Sequence, residues 1–140
     1  MKGDVIPDAD HICRLCGGSH IREDGTIAAS AFKPRPGEAY LSVNWLEILN
    51  AIDPDEAIAK VQRVLAKKRK IGASARWAIL NVGQARSVVA PGSQARSQLS
   101  AVHEPELQDP SHSGLYGVPE DDNMIPELLA QAISGIVPAR

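Results

Sequence analysis

The feature that most constrains the fold is the run beginning "DPDEAIAKVQRVLAKKRKIG", which carries the signals for one helix at both ends. Asp53 is an N-cap residue, Pro54 fits the first helical position, and Asp55 and Glu56 lie in the first turn beside the positive end of the dipole. Ile58, Val61, Val64 and Leu65 form one apolar stripe, Lys67, Lys68, Arg69 and Lys70 crowd the C-terminal end, and Gly72 stops the element. A helix over about 53–71 is therefore expected, and an amphipathic helix must cover something apolar.

What it covers is read from the short segments around it. "HICRLC" ends at Gly17-Gly18 and reads as a strand. "IREDGTIAASAF" carries an Asp24-Gly25 turn between two short extended pieces, a plausible hairpin. "KPRPGEA" breaks regular structure, after which "YLSVNWLEILN" begins as a strand and continues in a pattern that fits strand or helix equally. "ARWAILNVG" reads as a buried strand closed by Gly83, "QARSVVAPGSQARSQ" as loop with at most one helical turn, and "LSAVHEPEL" as a strand ending at His103. "QDPSHSGLYGVPEDDN" reads as a long irregular loop, and Ile125, Leu128, Leu129, Ala132, Ile133 and Ile136 as a helix over about 123–136. Strands interleaved with two main helices make an α+β domain with a small mixed sheet, in a single domain of 140 residues whose first ten form a loosely held lead-in.

Composition limits the class of function. The net charge of −2 provides no global field toward nucleic acid or an anionic membrane. The N-terminus lacks the apolar core of a signal peptide and no apolar run approaches a membrane span, so the cytoplasm is the expected compartment. With one Phe, two Trp and two Tyr, the core must be built from Ala, Val, Ile and Leu. No phosphate-cradling glycine loop, G-x-S-x-G elbow or H-E-x-x-H occurs. The basic run "KKRK" lacks interleaved aromatics and sits where a helix end prefers cations, which favours a solvated terminus over a nucleic-acid surface.

"DHICRLCGGSH" places His11, Cys13, Cys16 and His20 within ten positions. A zinc-stapled module on those four ligands is one reading, and a redox Cys-x-x-Cys another. On a strand, however, Cys13 and Cys16 have opposite parity and face opposite sides, so the favoured reading is two small buried hydrophobes. His11 and Arg14 then become candidates for a polar surface.

His103 at a strand end and His112 in the following loop are candidates for acid–base work, alongside His11. The ordinary alternative is unrelated surface histidines. Arg35, held between two prolines, carries a planar head suited to phosphate or carboxylate, or else pairs with Glu38 in solvent. Ser42 and Asn44 share one strand face with Tyr40 and line a pocket or meet water.

The ordered series "SAF", "LSVN", "VHEP" and "DPSHSGLYG" resembles one found in a group of small uncharacterised bacterial proteins. The resemblance implies a bacterial cytosolic origin and groups Phe32, Ser42, His103, Pro105, Pro110 and His112 as one set; it implies no activity or cofactor. The leading expectation is a pocket collecting His11, Arg14, Ser42, Asn44, His103 and His112, with Arg35, around a small anionic or nucleotide-like ligand. One histidine would serve as general base. The alternative is a non-enzymatic adaptor or regulatory subunit docking on a larger partner through its apolar C-terminal helix, or a homodimer.

Overall fold

The computed structural model describes residues 2–92 and 99–139. Six strands form one sheet: β1 (His11–Cys16), β2 (Leu41–Trp45), β3 (Arg76–Asn81), β4 (Ser100–His103), β5 (His112–Tyr116) and β6 (Gly135–Pro138). Their order is β4-β5-β2-β1-β3-β6, and every pairing is antiparallel. Three helices accompany them: α1 (Pro54–Lys68), α2 (Val82–Gly92) and α3 (Met124–Gln131). The fold is α+β, as the sequence predicts, with a wholly antiparallel sheet in place of the expected mixed one.

The pleat divides the core in two. Ile12, Val43, Leu80 and Leu115 face α2 and α3, where they pack with Val82, Ala85, Val89, Ile125 and Leu129. Cys13 and Trp77 face α1, meeting Ala57, Ile58, Val61 and Leu65. On that second face the apolar residues come from β1, β3 and β6, and none from β2, β4 or β5. Thus α1 roofs half of one sheet face and leaves the other half, bearing Ser42, Asn44 and His112, without a helix above it. The scarce aromatics are spent centrally, since Trp77 and Phe32 are both fully buried. Truncating either to Ala removes about 3–5 kcal/mol by the usual core-cavity cost.

α1 begins as its sequence requires: Asp53 Oδ1 accepts from the Glu56 N–H at 2.8 Å and Pro54 occupies the first turn. Several local expectations are corrected. The segment expected to be loop after Gly83 is α2, because Asn81 caps it, its Oδ1 accepting from Gln84 N–H at 2.8 Å; residues 93–98 of that segment lie outside the described residues. Gly83 does not close the strand but lets the chain before β1 approach, for a Cβ there would stand 2.9 Å from Asp8 Cβ. The C-terminal helix ends at Gln131 rather than near 136, and residues 135–138 pair as β6 with β3. Its N-terminus is capped from Asp122, whose Oδ1 accepts from the Met124 and Ile125 N–H groups.

A further correction concerns "QDPSHSGLYGVPEDDN", in which His112–Tyr116 form the interior strand β5. Its small residues conceal the alternation: Ser113 is fully buried opposite Val43 and His103, a position no larger side chain would reveal as apolar. Finally, the N-terminal residues are not loosely held. Gly3 N–H and Ile6 N–H donate to the carbonyls of His103 and Ala101, and His103 N–H donates to Asp4. This covers the outer edge of β4 with backbone hydrogen bonds, which removes an exposed pairing edge. "IREDGTIAASAF" makes a single bridge, Ile21 with Ile27, and then a 3-10 turn over Ala29–Phe32.

No helix among the described residues is long and apolar enough to cross a membrane.

Candidate functional site

β1 and β2 pair only at Ile12 with Trp45 and at Cys13 with Asn44. Beyond that point they splay, and Arg14 fills the gap: Nε donates to Ala31 O at 2.7 Å and Nη1 to Ser42 O at 2.8 Å. The guanidinium thereby replaces missing ladder bonds with charge-assisted ones. Burial holds its pKa below the ordinary arginine value, a shift that leaves so strong a base charged at pH 7.

Above the splay opens a cavity of about 550 Å³, bounded by the unroofed half of the sheet, the 3-10 turns after β1 and before β2, and the C-terminal end of α1. Six cations line it, Arg14, Lys33, Arg35, Lys68, Arg69 and Lys70, against the carboxylates of Glu38, Glu106 and Asp109. Lys68, Arg69 and Lys70 of the "KKRK" run are exposed, as a helix terminus is expected to be, and also form one wall. Helix dipoles oppose an anion here, because a C-terminus presents partial negative charge. The attraction must come from the side chains.

Not all six are equally available. Lys68 Nζ lies 2.8 Å from Glu106 Oε1 and 3.6 Å from Asp109 Oδ2, so its charge is largely answered within the wall. Lys33 Nζ donates to Asn123 Oδ1 at 2.7 Å. Glu38 does not neutralise Arg35 side chain to side chain; its Oε1 accepts from the Arg35 backbone N–H at 2.6 Å and fixes the loop. Arg14 is held by its bonds to the Ala31 and Ser42 carbonyls, which leaves Arg35, Arg69 and Lys70 as the lining cations without a side-chain partner among the described residues.

The floor is a polar network. Asn44 Nδ2 donates to Asp109 Oδ1 at 2.9 Å and to Ser111 Oγ at 2.8 Å. Asp109 is 1 % exposed, yet its Oδ2 has no hydrogen-bond partner, and Trp77 Nε1 shares that condition. Among the described residues these are the two buried side-chain polar atoms so left, and both residues line this cavity. Asp109 Oδ2 has Lys68 Nζ at 3.6 Å as its charge partner, so both atoms are polar groups held beside the cavity.

His112 stands beside Asn44, directly opposite it in the β5–β2 register. Its Nδ1 lies 2.8 Å from Glu104 O, and only a protonated Nδ1 can serve a carbonyl. A neutral His112 therefore turns a bare Nε2 toward Ser42 Oγ, 3.4 Å away. His20, with Nδ1 2.7 Å from Ser30 Oγ, lines the opposite rim.

Of the residues singled out by sequence, Arg14, Arg35, Ser42, Asn44 and His112 meet at this cavity. His103 does not join His112. It shares the parity of Ala101 and so faces the α2–α3 side, edge-on to Trp45 at 5.2 Å between ring centres, with Nε2 donating to Pro110 O at 2.8 Å. The two imidazoles occupy opposite faces of the sheet, because His112 lies on a strand and not in a loop. His11 also lies elsewhere: its backbone N–H and Nδ1 both donate to Glu47, at 2.7 and 2.6 Å, beside a separate cavity.

The four residues of the zinc reading are not gathered. Cys13 and Cys16 are buried in different halves of the core, on opposite faces, and His11 and His20 line different cavities. Among the described residues no three His, Cys, Asp or Glu side chains are grouped to hold a metal ion. On the adaptor reading, Leu129 of α3 is fully buried and Leu128 and Ile133 are half-buried, leaving Ile136 exposed on β6.

Sequence reasoning missed Asp109, Lys68, Arg69 and Lys70. The only available signal was that a cationic helix end and an Asp-Pro turn follow strands that a sheet could bring together. Compared with known protein families, curated proteins and solved structures, the chain gives no match.

Proposed function

We propose that this protein binds a small anionic, phosphate-bearing ligand of nucleotide-like size in the cavity between the C-terminal end of α1 and the splayed β1–β2 pair. The observation that carries this reading is the excess of cations over carboxylates on one concave surface, in a chain whose net charge is −2. A solvated helix terminus needs no concavity, and it does not need arginines from two other segments facing the same space. Arg35 supplies a planar donor set for oxyanions, Arg14 a positive charge fixed in place by its two carbonyl bonds, and Arg69 and Lys70 flexible charge. Next to the lining residue His112, Tyr40 stands edge-on at 6.0 Å and tilted against Tyr116 at 5.0 Å, an aromatic shelf just outside the cavity lining that a planar base could reach. His112, its tautomer set by Glu104 O, is the group for acid–base chemistry on a bound ligand.

Calorimetric titration with pyrophosphate and with a nucleoside diphosphate tests the reading. Both should bind, with the nucleotide tighter, and affinity should fall as salt rises. Arg35→Glu and Lys70→Glu are exposed charge reversals that leave the core intact, and each should weaken pyrophosphate binding by about tenfold, the equivalent of one charge-assisted contact. Absence of binding at low salt, or wild-type affinity in both variants, overturns it.

A further inference from the structure

We infer that Ser42 is a nucleophile and His112 its general base, so that the cavity cleaves phosphate esters through a phosphoserine intermediate. The inference rests on the binding reading above for its substrate class and on separate geometry for its chemistry.

Ser42 and His112 are diagonal neighbours on one face of β2 and β5, since Ser42 pairs with Gly114 and Asn44 with His112. Ser42 is exposed to the cavity while His112 is 8 % exposed behind it, the arrangement in which a substrate reaches the hydroxyl and not the base. The Nδ1 bond to Glu104 O plays the orienting part that a carboxylate plays in a triad: it fixes the ring and leaves Nε2 as acceptor. At 3.4 Å the Oγ to Nε2 separation is longer than a tight hydrogen bond, as catalytic pairs are before substrate draws them together. Arg14 completes the unit. It bonds the carbonyl of Ser42 itself, so a cation is anchored next to the attacking residue where phosphoryl oxygens would gather charge.

An ordinary cross-strand polar pair needs none of these features together. A serine on a solvent-facing strand has no requirement for a buried imidazole with a fixed tautomer, and a structural histidine has no need of an exposed hydroxyl at its second nitrogen.

Ser42 Oγ attacks phosphorus, the Oγ–P bond forms and the bond from phosphorus to the ester oxygen breaks; His112 Nε2 takes the hydroxyl proton and passes it to the departing oxygen. Water then attacks phosphorus with His112 accepting its proton, the Oγ–P bond breaks, and the proton returns to Oγ. Phosphate and an alcohol are released.

A fluorophosphonate probe tests the nucleophile without knowledge of the substrate, because attack by Oγ expels fluoride and leaves a stable phosphonyl ester. The full-length protein should gain one adduct, placed on Ser42 by peptide mass spectrometry. Labelling should vanish in Ser42→Ala and fall at least tenfold in His112→Gln, with pyrophosphate titrated against each variant and folding checked by circular dichroism. Should His112→Gln misfold, Glu104→Pro is not a substitute; prior occupation of wild-type protein by pyrophosphate, which should protect Ser42, takes its place. Labelling that falls elsewhere, is absent, or ignores both His112 and pyrophosphate, while pyrophosphate still binds, overturns the nucleophile and leaves the binding site standing. His112-dependent labelling of Ser42 without pyrophosphate binding upholds the nucleophile and overturns the anion site.

Discussion

Tyr40 lies across the backbone of Gly114: a Cβ built there would stand 2.7 Å from Tyr40 Cγ and Cδ1 and 2.9 Å from Tyr116 Cε1. The glycine thus admits a ring onto the sheet where any side chain would expel it, and the ring forms the shelf beside His112. Gly114→Ala should cost about 1–3 kcal/mol, the range for overpacking a close contact. Thermal unfolding and near-ultraviolet circular dichroism should both change, and an unaltered melting temperature with unaltered tyrosine signals would show that the ring does not rest there.

Arg14 joins two strands that have stopped pairing. Its replacement by Met leaves the Ala31 and Ser42 carbonyls without their charged donor, and about 2–3 kcal/mol should be lost, read as a lower denaturant midpoint at constant slope. Lys at this position reaches one carbonyl and not both, so Arg14→Lys should recover less than half of the loss. Full recovery would mean that charge alone matters and the fork does not.

Lys68 and the buried Asp109 should be energetically coupled across the cavity wall. Lys68→Met leaves the carboxylate with Asn44 and Ser111 as its side-chain partners, whereas in Asp109→Asn the lysine keeps Glu106 alone as its ion-pair partner. A double-mutant cycle should give a coupling of about 1 kcal/mol. Additive losses would place the two groups in independent environments.

Cys13 and Cys16 should resist thiol reagents in the folded protein. Burial raises both thiols, Cys16 to about 11 and Cys13 further, so at pH 8 about one Cys16 in a thousand is ionised and neither sulfur is accessible. Two thiols should appear on adding denaturant and none within minutes before it. Rapid native reaction of either would contradict the packing described.

Both tyrosines should ionise later than free phenols. Burial is the main cause for each, reinforced by Glu104, with Glu106 also acting on Tyr40. Because the unfolded chain releases these protons first, their contribution to stability is complete below the ordinary tyrosine pKa and lost as pH rises through the folded values. An absorbance titration at alkaline pH should show tyrosinate delayed in the native protein relative to the denatured one; coincident curves would remove the shelf from its burial.

How far the sequence discloses this arrangement depends on which force each residue answers to. α1 is legible because its cap, first turn and cationic end are local signals, and β1 and β3 because their apolar runs are bounded by breakers. β5 is not, since "HSGLY" owes its place to the neighbours of Ser113 and Gly114 and not to its own hydrophobicity. β6 escapes for the reverse reason: Ile133 and Ile136 continue the spacing of α3, and the Ser134 N–H and Oγ bonds to Ile79 O, at 2.8 and 3.1 Å, turn the chain back along β3. That same misplacement of β5 made a loop residue of His112 and joined it to His103. Arg14, Arg35, Ser42 and Asn44 were recognisable as polar groups with a use; that the "KKRK" wall faces them is a property of the topology, which no stretch of sequence contains.

The central claim is that cations from β1, the loop before β2 and the end of α1 act on one anion. Titrating isotopically labelled protein with pyrophosphate while following backbone amide and arginine side-chain resonances tests it most directly. The account predicts saturable shifts at Arg14, Arg35, Arg69 and Lys70 that follow a single binding curve and leave His11, Glu47 and His103 unmoved. Shifts that track different affinities, or that centre on the His11–Glu47 cavity, would contradict it.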